Sequence, residues 1–261
     1  METVSSVAMI GMCFSMVIAI GFPIALMVYA FRKLKADMVW FAIGAVTFIV
    51  FSLVLEQIMH TIVIKYFSIL TSNFWLWAIY GALAAGIFEE VGRFTAMHLF
   101  KKKDLNKNNA FMYGVGHGGI ESIVIVGLTN ISNLITSFMI NSGTFEQTLG
   151  SLDGSLKEQT MRKVSLLWTT EPLAFYLSGV ERISAVTIHI CLSYLVYRAV
   201  KESKIRFLFL SIAIHTLVDT ISGVVGATCS AVMLEVVLAA VAVVIAVCVY
   251  NNSKKITEDI N

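Results

Sequence analysis

The sequence predicts an all-α, polytopic membrane protein with a bundle of about seven transmembrane helices. Three observations predict it. Of 261 residues, 57% are hydrophobic and only 14% charged, with mean hydropathy +0.82, whereas a soluble domain averages roughly half apolar and a quarter charged. Apolar runs long enough to cross the hydrocarbon core, which takes about 20 helical residues, recur seven times along the chain. Helix is the default for each, because an open sheet cannot satisfy its backbone in lipid.

The runs fall near residues 6–31, 38–64, 74–100, 110–140, 172–198, 205–227 and 229–250. The N-terminal METVSS has no Lys or Arg, so it lacks the basic region of a cleaved signal peptide, and the first run reads as a retained helix. Pro23 is expected to kink that helix, and Pro172 to open the fifth at its first turn. Between the fourth and fifth runs, residues 141–171 are polar and then amphipathic (VSLLW), which predicts a solvated loop followed by an interfacial helix. Cys13, Cys191, Cys229 and Cys248 form no CxxC pair and read as small packing residues. No repeat or second domain interrupts the chain. Residues 1–261 read as a single integral membrane domain, with the motif-bearing core at about 74–227.

Basic residues set the expected orientation. One set of connections carries Arg32, Lys33, Lys35, Lys101, Lys102, Lys103, Lys107, Arg198, Lys201, Lys204, Arg206, Lys254 and Lys255; the opposite set carries Lys65, Lys157, Arg162 and Lys163. The positive-inside rule therefore predicts an outside N-terminus and a cytoplasmic C-terminus, in a multi-pass protein of the cell membrane. A net charge of +2 gives no footprint for nucleic acid. The partner this implies is the bilayer itself.

Ionisable residues inside the apolar runs point to function. Glu56, Glu89, Glu90, Arg93, Glu121, Glu181, Arg182, Asp219 and Glu235 fall there, joined by His60, His117, His189 and His215. Each buried charge costs at least about 2.5–3.5 kcal/mol at a helix centre, so such residues are paired or used. Counting the helical rise from the basic anchors puts Glu89 and Glu90 roughly 16–18 Å above Lys101, and His117, His189 and His215 roughly 13–15 Å from Lys107, Arg198 and Arg206. Four helices thus bring carboxylates and imidazoles to one layer. Arg93 lies at i+4 from Glu89 and i+3 from Glu90; His117 and Glu121, like His215 and Asp219, are i,i+4; Arg182 and His189 share a face seven residues apart.

Two adjacent glutamates near an arginine can be split into a base and a structural carboxylate, while histidines at the same depth can donate to an oxyanion or hold a metal. Such a set can activate water for amide hydrolysis. Histidine with carboxylate suits zinc, although no HExxH motif occurs. The donors for a metal would be Glu90, His117, His189 and His215. Glycines around His117 (GVGHGG, 114–119) lack the Lys-Ser/Thr of a phosphate loop and read as close helix packing. Glu56 and His60, at i,i+4, read as a local pair.

Four of these motifs, in order from the third helix to the sixth, resemble the CAAX-protease and bacteriocin-processing superfamily, most closely its YhfC branch and the related PrsW branch. Glu89-Glu90-Val91-Gly92-Arg93 resembles the first motif. Gly116-His117-Gly118-Gly119-Ile120-Glu121 is similar to the PrsW second motif, and Tyr113-x-x-x-His117 alternatively to the CAAX one. Arg182 through His189 resembles the third motif, and His215-Thr216-Leu217-Val218-Asp219 the last. The resemblance implies an intramembrane endopeptidase acting on a peptide or membrane-protein substrate, with Glu89 as base, Glu90 and Arg93 orienting it, and His189 and His215 assisting; His117, Glu121, Arg182 and Asp219 are expected to support them. The competing readings are a proton-coupled transporter, since buried acids and imidazoles also form relays, and a catalytically inactive immunity or assembly protein that keeps the cluster to glue helices.

Overall fold

The seven apolar runs all become long helices, and their ends are fixed by local chemistry. The computed structural model describes residues 2–100 and 104–258; Lys101, Lys102 and Lys103 of the expected basic anchor lie outside them, as do the side chains of Lys254 and Lys255. Of the described residues, 88% are helical and none is in a strand. Seven helices there are long and apolar enough to span a membrane: Ser6–Arg32, Met38–Tyr66, Phe74–Leu99, Lys107–Asn141, Pro172–Lys201, Arg206–Thr228 and Ala231–Asn252. Many large apolar side chains point outward, among them Val17, Ile58, Leu83 and Val236. That surface suits lipid rather than water.

The helices are α1 (Ser6–Arg32), α2 (Met38–Phe48), α3 (Gln57–Tyr66), α4 (Ser68–Ser72), α5 (Phe74–Leu99), α6 (Lys107–Ser122), α7 (Leu128–Asn141), α8 (Phe145–Gly150), α9 (Gly154–Thr169), α10 (Pro172–Lys201), α11 (Arg206–Thr228) and α12 (Ala231–Glu258). Two π-helical segments, Ile49–Glu56 and Ile123–Gly127, lie within the second and fourth spans. The second, third and fourth spans start where a polar side chain satisfies the first backbone N–H groups. The Asp37 carboxylate accepts from Val39 N at 2.9 Å. Asn73 accepts from Trp75 N and Leu76 N, and Asn106 from Asn108 N and Asn109 N. Pro172 occupies the first turn of α10, where its missing N–H costs nothing.

The chain divides into two compact units, 1–22 with 122–183 and 23–121 with 184–261. The first packs Val4, Ala8, Met12, Leu134, Ile140, Phe145, Leu149 and Leu167 into one core. Asn141 clamps the N-terminal segment there, accepting from Val4 N at 2.8 Å and donating to Val4 O at 2.9 Å. Residues expected as a solvated loop are largely helical in this unit: α8 and α9 fill most of 145–169. The polar stretch contains no proline, and Glu158 and Arg162 pair across one turn at 2.9 Å, a spacing that supports helix. Met161, Val164, Leu167 and Trp168 form the apolar face of α9.

The second unit holds the larger core, in which Trp40, Met97, Met112, Tyr113, Leu192 and Val196 are buried. The glycines near His117 act here. A Cβ on Gly118 would stand 2.8 Å from His189 Cβ, and one on Gly114 2.7 Å from Ile190 Cα. Glycine at these positions lets α6 approach α10 closely enough for His117 and His189 to meet.

Candidate active site

α5 presents Glu89, Glu90 and Arg93 inward within little more than one turn, all three buried. α6 adds His117 and Glu121, α10 adds His189, and α11 adds His215 and Asp219. All eight belong to the second unit. The His117 and His189 rings lie 5.2 Å apart, and His189 and His215 5.4 Å, so the three imidazoles form one continuous group.

The two adjacent glutamates differ in surroundings. Glu90 is fully buried, and both its oxygens are engaged: Oε1 lies 3.1 Å from Arg93 Nη2 and 2.8 Å from His215 Nδ1, while Oε2 accepts from Ser211 Oγ at 2.5 Å. Glu89 Oε2 lies 2.9 Å from His117 Nε2, 3.8 Å from His189 Nδ1 and 4.0 Å from His215 Nε2. Glu89 therefore faces imidazoles, and Glu90 faces a cation, an imidazole and a hydroxyl.

These contacts fix the ring orientations. Arg93 donates through Nη1 to His189 O at 2.8 Å and to Ser193 Oγ, and through Nη2 to His189 Nδ1 at 3.1 Å. Guanidinium has no acceptor, so His189 Nδ1 is the acceptor and the proton of the neutral ring sits on Nε2. That nitrogen lies 2.5 Å from Glu121 Oε2. His215 turns Nδ1–H toward Glu90, which leaves Nε2 facing Asp219 Oδ2 at 3.5 Å. His117 Nε2 faces Glu89, while its Nδ1 is buried without a hydrogen-bond partner among the described residues.

A divalent ion can be tested against this donor set. Ligand atoms of Glu89, His117 and His189 all lie within 4.8 Å of one another, and all three residues are buried. Two imidazoles and one carboxylate are a donor set that zinc takes in hydrolytic enzymes. The cluster also gathers four carboxylates, Glu89, Glu90, Glu121 and Asp219, around its imidazoles, and a cation there would offset their charge. The residues fit a metal. The set departs from the one read in the sequence. Glu89 takes the place of Glu90, whose oxygens are saturated, and His215 stands beside the group rather than in it, anchored on Glu90.

Of the residues singled out in the sequence, the structure brings together Glu89, Glu90, Arg93, His117, Glu121, His189, His215 and Asp219. Both candidates of the second motif reach the cluster, His117 on Glu89 and Glu121 on His189. Arg182 belongs to the first unit, where its guanidinium donates to the carboxylate of Glu181. Sequence reasoning missed Ser193 and Ser211. Their signal was spacing, because Ser193 follows His189 by four residues and Ser211 precedes His215 by four, one helical turn in each case.

The fold and site define a multi-pass helical membrane protein with a glutamate–histidine cluster buried within its spans. The model of the YhfC intramembrane metalloprotease family matches residues 16–248, and the chain belongs to that family. It is 41% identical over 217 residues to the uncharacterized membrane protein YhfC of Bacillus subtilis (strain 168), covering 82% of this chain and 83% of that one. The branch read from the motifs is therefore borne out. No solved structure matches.

Proposed function

We propose that this protein is an intramembrane endopeptidase that hydrolyses a peptide bond of a membrane-embedded or membrane-proximal substrate. The observation that carries this reading is Glu89, a buried carboxylate whose one oxygen faces three imidazoles at 2.9, 3.8 and 4.0 Å. The family description points the same way.

Amide hydrolysis needs a base for the attacking water, a stabiliser for the oxyanion and a proton donor for the leaving amine. Glu89 and Glu121 are the carboxylates placed to take the water's proton. His215, fixed by Glu90 through Nδ1, turns Nε2 toward the same volume, where as an imidazolium it donates to the oxyanion. Arg93 and Ser193 hold His189, and Ser211 holds Glu90, so both imidazoles are preorganised. If a zinc-like ion is resident, Glu89, His117 and His189 would hold it, and it would supply Lewis acidity and an acidified water. Glu121 would then be the nearest carboxylate left to act as base.

The test is a comparison of membrane proteomes from cells carrying wild type or Glu89→Gln. A set of fragments present with wild type and absent with the variant is expected. Identical proteomes would remove the proteolytic reading. Metal content of the purified variant separates the two roles of Glu89: loss of the ion marks a ligand, and retention marks a base.

A further inference from the structure

Hydrolysis adds one water across each peptide bond, hydroxyl to the carbonyl carbon and hydrogen to the amine nitrogen. A site inside hydrocarbon must draw that water through the protein. In the second span, Ser52, Glu56 and His60 follow at four-residue spacing, while Leu53, Leu55, Ile58 and Ile62 around them are exposed on the apolar surface. Ser52 and Glu56 are buried. Glu56 closes the π-helical segment Ile49–Glu56, a local widening that changes where side chains point and is frequent at functional sites.

These residues are linked. His60 Nε2 lies 3.2 Å from Glu56 Oε1, and His60 Nδ1 lies 2.8 Å from the Tyr80 hydroxyl on α5. Exposure falls inward, from 18% for the His60 side chain to 8% for Glu56. Tyr80 stands toward the end of α5 that begins at Phe74, beside the exposed residues 67–69 and 71–73. At the inner end, Glu56 lies within electrostatic reach of Glu89, His215 and Asp219. Ser52 Oγ, one turn further, is buried without a hydrogen-bond partner among the described residues. Such a hydroxyl is costly to bury unless water pairs with it.

We propose that Tyr80, His60, Glu56 and Ser52 form the route by which water reaches Glu89 from the membrane face carrying residues 67–73. The four are positioning residues, and the proposal rests on the hydrolytic reading above. Their hydroxyl, imidazole and carboxylate groups give water successive partners where the surrounding side chains offer none.

Radiolytic hydroxyl-radical labelling of the full chain in proteoliposomes tests this, because the probe is generated from the water itself. In wild type, His60 and Tyr80 should be oxidised at rates comparable with Tyr66 and Phe67, and His215 should be measurably labelled. His60→Leu should lower His215 labelling and peptide turnover together, by about tenfold for a lost hydrogen-bonding station, with KM unchanged. Tyr80→Phe, which removes a single oxygen, should act in the same direction and reports if His60→Leu does not fold. An unlabelled His60 in wild type, or His215 labelling unchanged by both variants, overturns the route. Labelling as expected in a wild type that cleaves nothing would keep the route and remove the protease. Cleavage by a protein whose His60 stays unlabelled would do the reverse.

Discussion

The surroundings of Glu89 and of Glu90 are the instructive pair of regions. The two carboxylates are consecutive on α5, chemically identical and both buried, yet Glu90 meets Arg93, His215 and Ser211 while Glu89 meets three imidazoles. The difference teaches that depth alone does not assign a role. Adjacent helical residues point about 100° apart, so one faces α11 and the guanidinium while the other faces the histidine group. Saturation makes Glu90 a structural anchor, and the lack of a saturating cation leaves Glu89 available for chemistry.

Variants can break or sharpen that contrast. Glu89→Gln should lower turnover by about 10²–10⁴-fold if Glu89 is the base, with the unfolding midpoint in detergent nearly unchanged. Similar losses of stability in Glu89→Gln and Glu90→Gln would erase the distinction. Arg93→Ala should act on stability first. It leaves Glu90 without its cation and should cost about 3–5 kcal/mol, read as a lowered midpoint or failure to accumulate in the membrane.

Zinc sharpens the comparison on the Glu89 side. At about a hundred times its Kd, the ion should stabilise wild type by about 2.7 kcal/mol and leave His117→Ala unmoved. Equal stabilisation of both proteins would exclude His117 from the ligand set. On the Glu90 side, Ser211→Ala removes one hydrogen bond to a carboxylate and should cost about 1.5–3 kcal/mol, with a fall in turnover through a looser His215.

The smallest effect lies outside the spans. The hydrogen bond from Arg198 Nε, 2.6 Å from Glu202 Oε1, holds the Glu202 carboxyl below its ordinary value. Its contribution to stability is therefore present at neutral pH and is lost as pH falls from about 4.5 through the lowered value. Glu202→Gln should cost less than about 1 kcal/mol at pH 7 and nothing once wild-type Glu202 is protonated. A constant difference across that pH range would show that the pair is not the cause.

Much of this architecture is written locally. Hydropathy marks each span because every residue in hydrocarbon must be apolar or paired, and the helical rise converts sequence position into depth. That is why Glu89, Glu90, His117, His189 and His215 could be assigned to one layer before any contact was known. The caps at Asp37 and Asn73 and the opening of α10 at Pro172 are equally local. The helical turns of α8 and of the polar start of α9 were not read, because a polar segment at a membrane surface carries no hydropathy signal for helix; the amphipathic VSLLW end of α9 was expected as an interfacial helix.

What only the tertiary structure decided is rotation. Sequence spacing relates residues on one helix, but the azimuth of α5 against α6, α10 and α11 depends on packing, including the contacts of Gly114 and Gly118 with α10. That rotation made Glu89 rather than Glu90 the carboxylate among the imidazoles and drew Ser193 and Ser211 into the site. By itself the sequence determined the spans and the depth of the cluster, since both follow from the solvent and the rise per residue. The partner of each charged group is a long-range property, settled when the helices packed.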